Sequence, residues 1–214
     1  MAYKAAIFDL DGTLVNSLAD LADATNYALK IFGQPSRDIQ AFRQMVGDGT
    51  RMLISRALEP DKQHLTKNVL EKMLEKYAQI CLDKTSPYNG LPPVIAELAE
   101  REIKLAVLTN KDEKIAQKVV RHFFDGYFQI IKGTTAGIAV KPELFESLQV
   151  LEKFDVKPQE SVFIGDSDID MKTAKGCKMF SIGVSWGFRG RKELTEAGAD
   201  VVIDKPKQLL KLFN

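Results

Sequence analysis

Asp9 and Asp11 stand two residues apart directly behind the apolar run Ala5-Ala6-Ile7-Phe8, with Gly12 and Thr13 following. A short run of apolar residues reads as a parallel strand buried on both faces, and the C-terminal edge of such a sheet is where open α/β folds bind ligands. Residues two apart on an extended segment project to one side, so both carboxylates can converge on one ligand while Gly12 turns the chain. That arrangement suits a metal ion and a phosphate. An acidic turn after a strand is the alternative, since Asp and Gly are common turn residues.

Three later segments carry complementary groups. Leu105-Ala106-Val107-Leu108 ends in Thr109-Asn110, Lys141-Pro142 precedes an amphipathic stretch, and Val162-Phe163-Ile164-Gly165 runs into Asp166, Asp168 and Asp170. Polar chemistry thus collects at strand ends. For Lys141 taken alone, the alternative is a surface lysine before a helix-starting proline. For Asp166 and Asp170 it is capping of the helix that follows, and Asp168 reads as a helix N-cap or as an outer acid of the same loop.

The elements that must position these groups follow from periodicity. Leu18, Leu21, Ala22, Thr25, Ala28, Leu29 and Phe32 recur at helical spacing, with Ser17 as N-cap and Gly33 as stop. Val69, Leu70, Met73, Leu74, Tyr77 and Ile80 give a second long helix, with shorter helical pieces at 39–45 and 50–58 between them. From Tyr88 onward helices and strands alternate, as in βαβ units: helix 92–102, strand 103–109, helix 112–123, strand 127–132, helix 142–154, strand 161–165, a short helix to 174, strand 179–184, an apolar run 201–203 and a last helix 207–213. The expected fold is α/β, a Rossmann-like parallel sheet flanked by helices, interrupted by one all-helical insertion. Residues 1–15 and 86–214 form the core and residues 16–85 the insertion.

Composition narrows the partners. The chain has 214 residues, 45% of them hydrophobic, and 30 basic against 29 acidic residues leave a formal charge of +1. No global field draws nucleic acid or an anionic membrane, so attraction for a phosphate must be local. No apolar run is long enough to span a bilayer, and Met1-Ala2-Tyr3-Lys4 enters the first strand at once, so a cytoplasmic protein without a signal peptide is expected. Cys81 and Cys177 lack a CxxC or Cys/His pattern and read as packing residues, and His64 and His122 as surface residues.

Taken together and in order, the segments Asp9-x-Asp11-Gly12-Thr13, Thr109-Asn110, Lys141-Pro142 and Gly165-Asp166-x-x-x-Asp170 resemble the four motifs of the haloacid-dehalogenase superfamily, over essentially the whole chain. Where relatives often read Lys-Pro-x-Pro, this chain reads Lys141-Pro142-Glu143-Leu144. The resemblance implies a helical cap on hinges near 15–17 and 85–89. It makes Asp9 the nucleophile, Asp11 the general acid and base, Thr109, Asn110 and Lys141 the phosphoryl-binding groups, and Asp9, the Asp11 carbonyl and Asp166 the ligands of Mg²⁺, with Asp170 behind them. A carboxylate and a phosphate cannot meet without a cation, and an all-oxygen donor set beside a phosphate suits Mg²⁺.

An acid at position 11 favours phosphoryl transfer over halide expulsion, which needs no protonation. Phe42-Arg43-Gln44-Met45-Val46-Gly47-Asp48-Gly49-Thr50 and Val184-Ser185-Trp186-Gly187-Phe188 resemble the branch that hydrolyses phosphoglycolate. Gly47 and Gly49 can form a specificity loop or simply a helix-to-helix turn, and Arg43 and Arg51 can grip a substrate carboxylate or lie on the surface. The expected enzyme is a phosphatase for a small phosphorylated metabolite, 2-phosphoglycolate foremost, as monomer or homodimer. A phosphosugar mutase, a pyrophosphate or nucleotide phosphatase and a non-catalytic binding protein are the other readings.

Overall fold

The computed structural model describes residues 3–135 and 141–213. Its centre is strand β1 (Ala5–Phe8), all four residues of which are fully buried. The reason is visible on its two faces. Ala6 and Phe8 pack with Leu105, Val107, Val119 and Phe124, whereas Ala5 and Ile7 pack with Ala106, Leu108, Val150 and Phe154. A strand with a core on each side has no polar face to show, so its sequence has none.

After β1 the chain makes a short strand β2 (Val15–Asn16) and leaves the sheet. It forms α1 (Leu18–Ile31), α2 (Ile39–Met45), α3 (Thr50–Ala57), a 3₁₀ turn and α4 (Thr66–Ile80), then returns through β3 (Ser86–Pro87). Helices α1 and α4 lie against each other around Leu21, Ala24, Ala28, Val69, Met73 and Tyr77, all buried. β2 and β3 pair antiparallel, Val15 opposite Pro87 and Asn16 opposite Ser86, so the outgoing and returning chains are stitched at one point.

The remainder alternates as α5 (Leu91–Glu100), β4 (Lys104–Asp112), α6 (Glu113–Phe124), β5 (Ile130–Thr134), α7 (Phe145–Phe154), β6 (Ser161–Gly165), α8 (Asp168–Gly176), β7 (Phe180–Val184), α9 (Arg191–Glu196) and β8 (Val201–Ile203). The main sheet is parallel throughout in the order β5-β4-β1-β6-β7-β8. β4 and β6 both border β1. The chain therefore moves to one side of β1 and then crosses to the other, which opens a crevice at the C-terminal ends of these three strands.

Several elements differ from the expected ones, each for a local reason. α7 starts at Phe145 instead of Pro142, because the Lys141 N–H is held by the Asn110 side chain before the helix begins. The last helix is a 3₁₀ segment, Pro206–Lys211. α9 lay in a stretch with little apolar periodicity and was not expected; only Leu194 of it is buried. Ser17 occupies the N-cap position of α1 without bonding the helix, since its hydroxyl donates to Asp11. Among the described residues no helix is long and apolar enough to cross a membrane.

Asp20, on α1 and fully buried, closes the root of the insertion. It accepts from the Thr85 N–H at 2.8 Å, the Thr85 hydroxyl at 2.7 Å and the Lys84 N–H at 3.1 Å. A buried donor left without its acceptor costs its full desolvation, so Asp20→Ala is expected to lower unfolding free energy by roughly 2–4 kcal/mol. Urea denaturation checks this, and unchanged stability would mean that β2–β3 pairing alone holds the root.

Candidate active site

The three central strands deliver their ends to one place. Asp9 follows β1, and its N–H continues the sheet ladder to Ile164 O at 2.9 Å. Asp166 follows β6, and Thr109, Asn110 and Lys111 lie near the end of β4. All of them line one cavity with Asp11, Val46, Gly47, Gly49, Thr50, Leu53 and Arg189. The sequence-predicted Asp9, Asp11, Thr109, Asn110, Gly47 and Gly49 are thus brought together around one solvent-open cavity.

Lys141 sits at the floor, 3% exposed, with Nζ 2.7 Å from Asp9 Oδ1 and 2.6 Å from Asp170 Oδ1. Burial opposes its charge, but Asp170 and Asp9 outweigh burial and hold its pKa above the ordinary lysine value. Asp170 is a hub. Its other oxygen accepts from the Ser167 N–H at 3.1 Å and the Ser167 hydroxyl at 2.7 Å. Ser167 and Asp170 therefore form the capping box of α8, and Asp170 both caps that helix and anchors Lys141. Asp168 does neither: Ser167 holds the N-cap position, and the Asp168 carboxylate pairs with Lys172 on the surface.

Oxygens of Asp9, Asp166 and Asp170 lie within 4.8 Å of one another, all three residues buried. Burial, then Lys141 acting downward and Asp170 upward, sets the Asp9 carboxyl at about 7. Burial, followed by Asp9 and Asp170, raises Asp166 well above the ordinary range. Three carboxylates against one ammonium leave two negative charges uncompensated when all are ionised, and the donors are oxygens only. This set fits a small divalent cation such as Mg²⁺. Asp170 is engaged by Lys141 and Ser167 away from the cavity lining, whereas Asp9 and Asp166 line the cavity and are the side chains that could offer oxygens to a cation there.

Backbone packs tightly against Asp166. Gly12 adopts φ +90°, and a Cβ there would lie 2.3 Å from Asp166 Oδ2; a Cβ on Gly187 would lie 2.2 Å from Asp166 Cβ. The carboxylate is further held by the Phe188 N–H at 2.7 Å and the Thr13 hydroxyl at 3.3 Å.

The Asn110 side chain is fully engaged. Its oxygen accepts from the Lys141 N–H at 2.9 Å, and its nitrogen donates to Lys141 O at 3.0 Å and Gly47 O at 3.1 Å. Arg43 and Arg51 do not line the cavity: Arg43 donates to Gly187 O at 2.9 Å, and Arg51 is exposed. Arg189 makes the reciprocal contact, donating to Val46 O at 2.9 Å and to Gln44, so the insertion and the core exchange arginines across the cavity mouth.

Two cavity residues were missed in the sequence. Arg189 follows a run noted for other reasons. Lys111 is 3% exposed and holds Asp11 with Nζ 2.8 and 2.9 Å from its two oxygens. Strand alternation puts it on the same side as Thr109, two residues earlier, and β4 shifts register against β5 between Leu108 and Asp112. Irregularities of this kind re-aim side chains beside sites.

The family model for haloacid dehalogenase-like hydrolases matches residues 6–184. The chain belongs to that family. It is 32% identical to a phosphoglycolate phosphatase of Haemophilus influenzae (strain 86-028NP), covering 99% of this chain and 98% of that protein. It is 30% identical to the phosphoglycolate phosphatase of Pseudomonas putida KT2440, over 97% of this chain and 78% of that one. Among solved structures, a protein of Lactobacillus delbrueckii subsp. bulgaricus provisionally named a phosphoglycolate phosphatase superposes with a TM-score of 0.91 at 31% identity, covering 100% and 99% of the two chains. For this haloacid dehalogenase-like hydrolase, a ligand that binds only the folded state stabilises it by about 2.7 kcal/mol at 100 times its Kd. Mg²⁺ in that excess is expected to raise the melting temperature. Asp166→Asn, which keeps the shape and removes a charge, is expected to abolish that rise without lowering the melting temperature in chelator. A rise retained in Asp166→Asn would place the cation elsewhere.

Proposed function

We propose that this hydrolase is a Mg²⁺-dependent phosphatase of a small phosphorylated metabolite, 2-phosphoglycolate foremost, working through an aspartyl-phosphate on Asp9. The observation that carries the reading is that Asp9 and Asp11 line one cavity, each with its own cationic support, Lys141 behind Asp9 and Lys111 on Asp11. The names of the relatives that align over nearly the whole chain support the substrate.

In the first step an Asp9 oxygen attacks phosphorus, the bond to the ester oxygen breaks, and Asp11 gives its proton to the departing oxygen. In the second, Asp11 takes a proton from water as that water attacks the same phosphorus, the bond to Asp9 breaks, and inorganic phosphate leaves with Asp9 restored. Lys141 neutralises charge on the phosphoryl oxygens, and the Thr109 hydroxyl and Asn110 N–H donate to them. Asp9, the Asp11 carbonyl and Asp166 would hold Mg²⁺, which when bound screens the nucleophile from the phosphate and polarises the phosphoryl oxygens.

Residues 16–85 would act as a lid. The cavity is open to solvent, and closure of the insertion over a bound ester would keep bulk water from the first step.

Phosphate release should depend on Mg²⁺, stop with chelator and favour 2-phosphoglycolate over hexose phosphates, nucleoside monophosphates and pyrophosphate. Asp9→Asn should lose activity by about 10⁴-fold or more. Rapid acid quench of the wild type should show a phosphate adduct on the peptide containing Asp9. An active Asp9→Asn, or an adduct on another residue, would refute the mechanism; full activity with preference for another ester would refute the substrate alone.

A further inference from the structure

Lys111 is a second buried ammonium besides Lys141. It lines the cavity, whereas Lys141 lies behind Asp9, and the two serve different ends. Lys141 lies between Asp9 and Asp170, where the phosphoryl group is attacked. Lys111 lies on Asp11, the residue that must face the leaving oxygen. Its three N–H donors are accounted for, two toward the oxygens of Asp11 and one toward the hydroxyl of Tyr77, whose ring centroid is 4.5 Å from Nζ. Tyr77 belongs to α4 of the insertion and is fully buried. A core lysine on the acid is thus held in place by a side chain of the lid.

The other cations near the site are committed elsewhere. Arg189 is spent on Gln44, Val46 and Glu193, Arg43 on Gly187 O, and Arg51 is exposed. Resting on the phosphatase reading, we propose that Lys111 is the specificity-determining residue for a carboxylate on the leaving alcohol, and that Tyr77 sets its position when the insertion is seated on the core. The substrate class is a short phosphoester of a hydroxy acid. Its carboxylate would take one Lys111 N–H over from Asp11, leaving the ammonium shared between the two carboxylates, an exchange that a neutral alcohol cannot make. An ammonium suits this better than a guanidinium, because it can be shared between two carboxylates from different directions.

The test compares 2-phosphoglycolate with ethyl phosphate, which has the same two-carbon length and no carboxylate, in the Mg²⁺-loaded wild type, Lys111→Met and Tyr77→Phe. Removing one member of a buried charge pair typically costs a factor of about 100 or more. The ratio of kcat/KM for 2-phosphoglycolate to that for ethyl phosphate should fall about 100-fold in Lys111→Met, mainly through KM. Tyr77→Phe keeps the ring and removes only the hydroxyl, so the ratio should fall about 3- to 10-fold there, which keeps the test decisive if Lys111→Met does not fold. An equal loss on both esters would make Lys111 only a support for Asp11 and overturn the proposal while leaving the phosphatase intact. Wild type that releases phosphate from neither ester would overturn the phosphatase reading and this proposal with it.

Discussion

The structure turns on a charge imbalance held at the end of a sheet. Asp9, Asp166 and Asp170 are gathered in the protein interior around the single ammonium of Lys141. Burying a carboxylate is expensive unless it is paired, so the surrounding architecture has to keep each one oriented and hydrogen-bonded. The capping box ties Asp170 to the first turn of α8, and the Phe188 N–H and Thr13 hydroxyl hold Asp166. The glycines at 12 and 187 serve the same end, because any side chain there would occupy the space of the Asp166 carboxylate. A small cation is the ligand that such an imbalance selects.

The helical insertion depends on the same place for a different reason. It is joined to the core by the β2–β3 pair and by Asp20, both remote from the cavity floor, and it touches the cavity mouth through Arg43, Gln44, Val46 and Gly47. The contacts at the root combine the strand pair with the buried Asp20 bonds, and those nearer the cavity combine arginine bonds to backbone carbonyls with the buried contact of Tyr77 and Lys111.

How much of this could be read from the sequence follows from the kind of signal each residue carries. β1, β4 and β6 were legible because strands buried on both faces are written as unbroken apolar runs, and Asp9, Asp166 and Asp170 because they stand where those runs end. α1 and α4 were legible from helical spacing. Lys111 was not, although strand alternation puts it on the same side as Thr109, because a lysine near a strand end carries no local sign that its ammonium is buried against a carboxylate. Arg43 and Arg189 were indistinguishable as sequence, each an arginine near a glycine. Which one reaches the cavity depends on how the insertion sits against the core, and no local pattern encodes that.

Asp168 and Ser17 show the same limit from the other direction. Both sit at helix starts, where short polar residues usually satisfy backbone N–H groups. Asp168 points to Lys172, since Ser167 takes the cap, and Ser17 turns its hydroxyl to Asp11. In each case a local preference gives way to a partner that the tertiary structure brings close, and the residue that forgoes its local role at Ser17 is the one beside the chemistry. Ser17 is buried, and its hydroxyl joins Lys111 on the same carboxylate. Asp11 is therefore fixed from both sides of the β1 loop, by the root of the insertion and by the end of β4. In the proposed mechanism Asp11 first gives a proton and then accepts one, so it would have to stay in one position through both steps, and the two independent holds on it would achieve that.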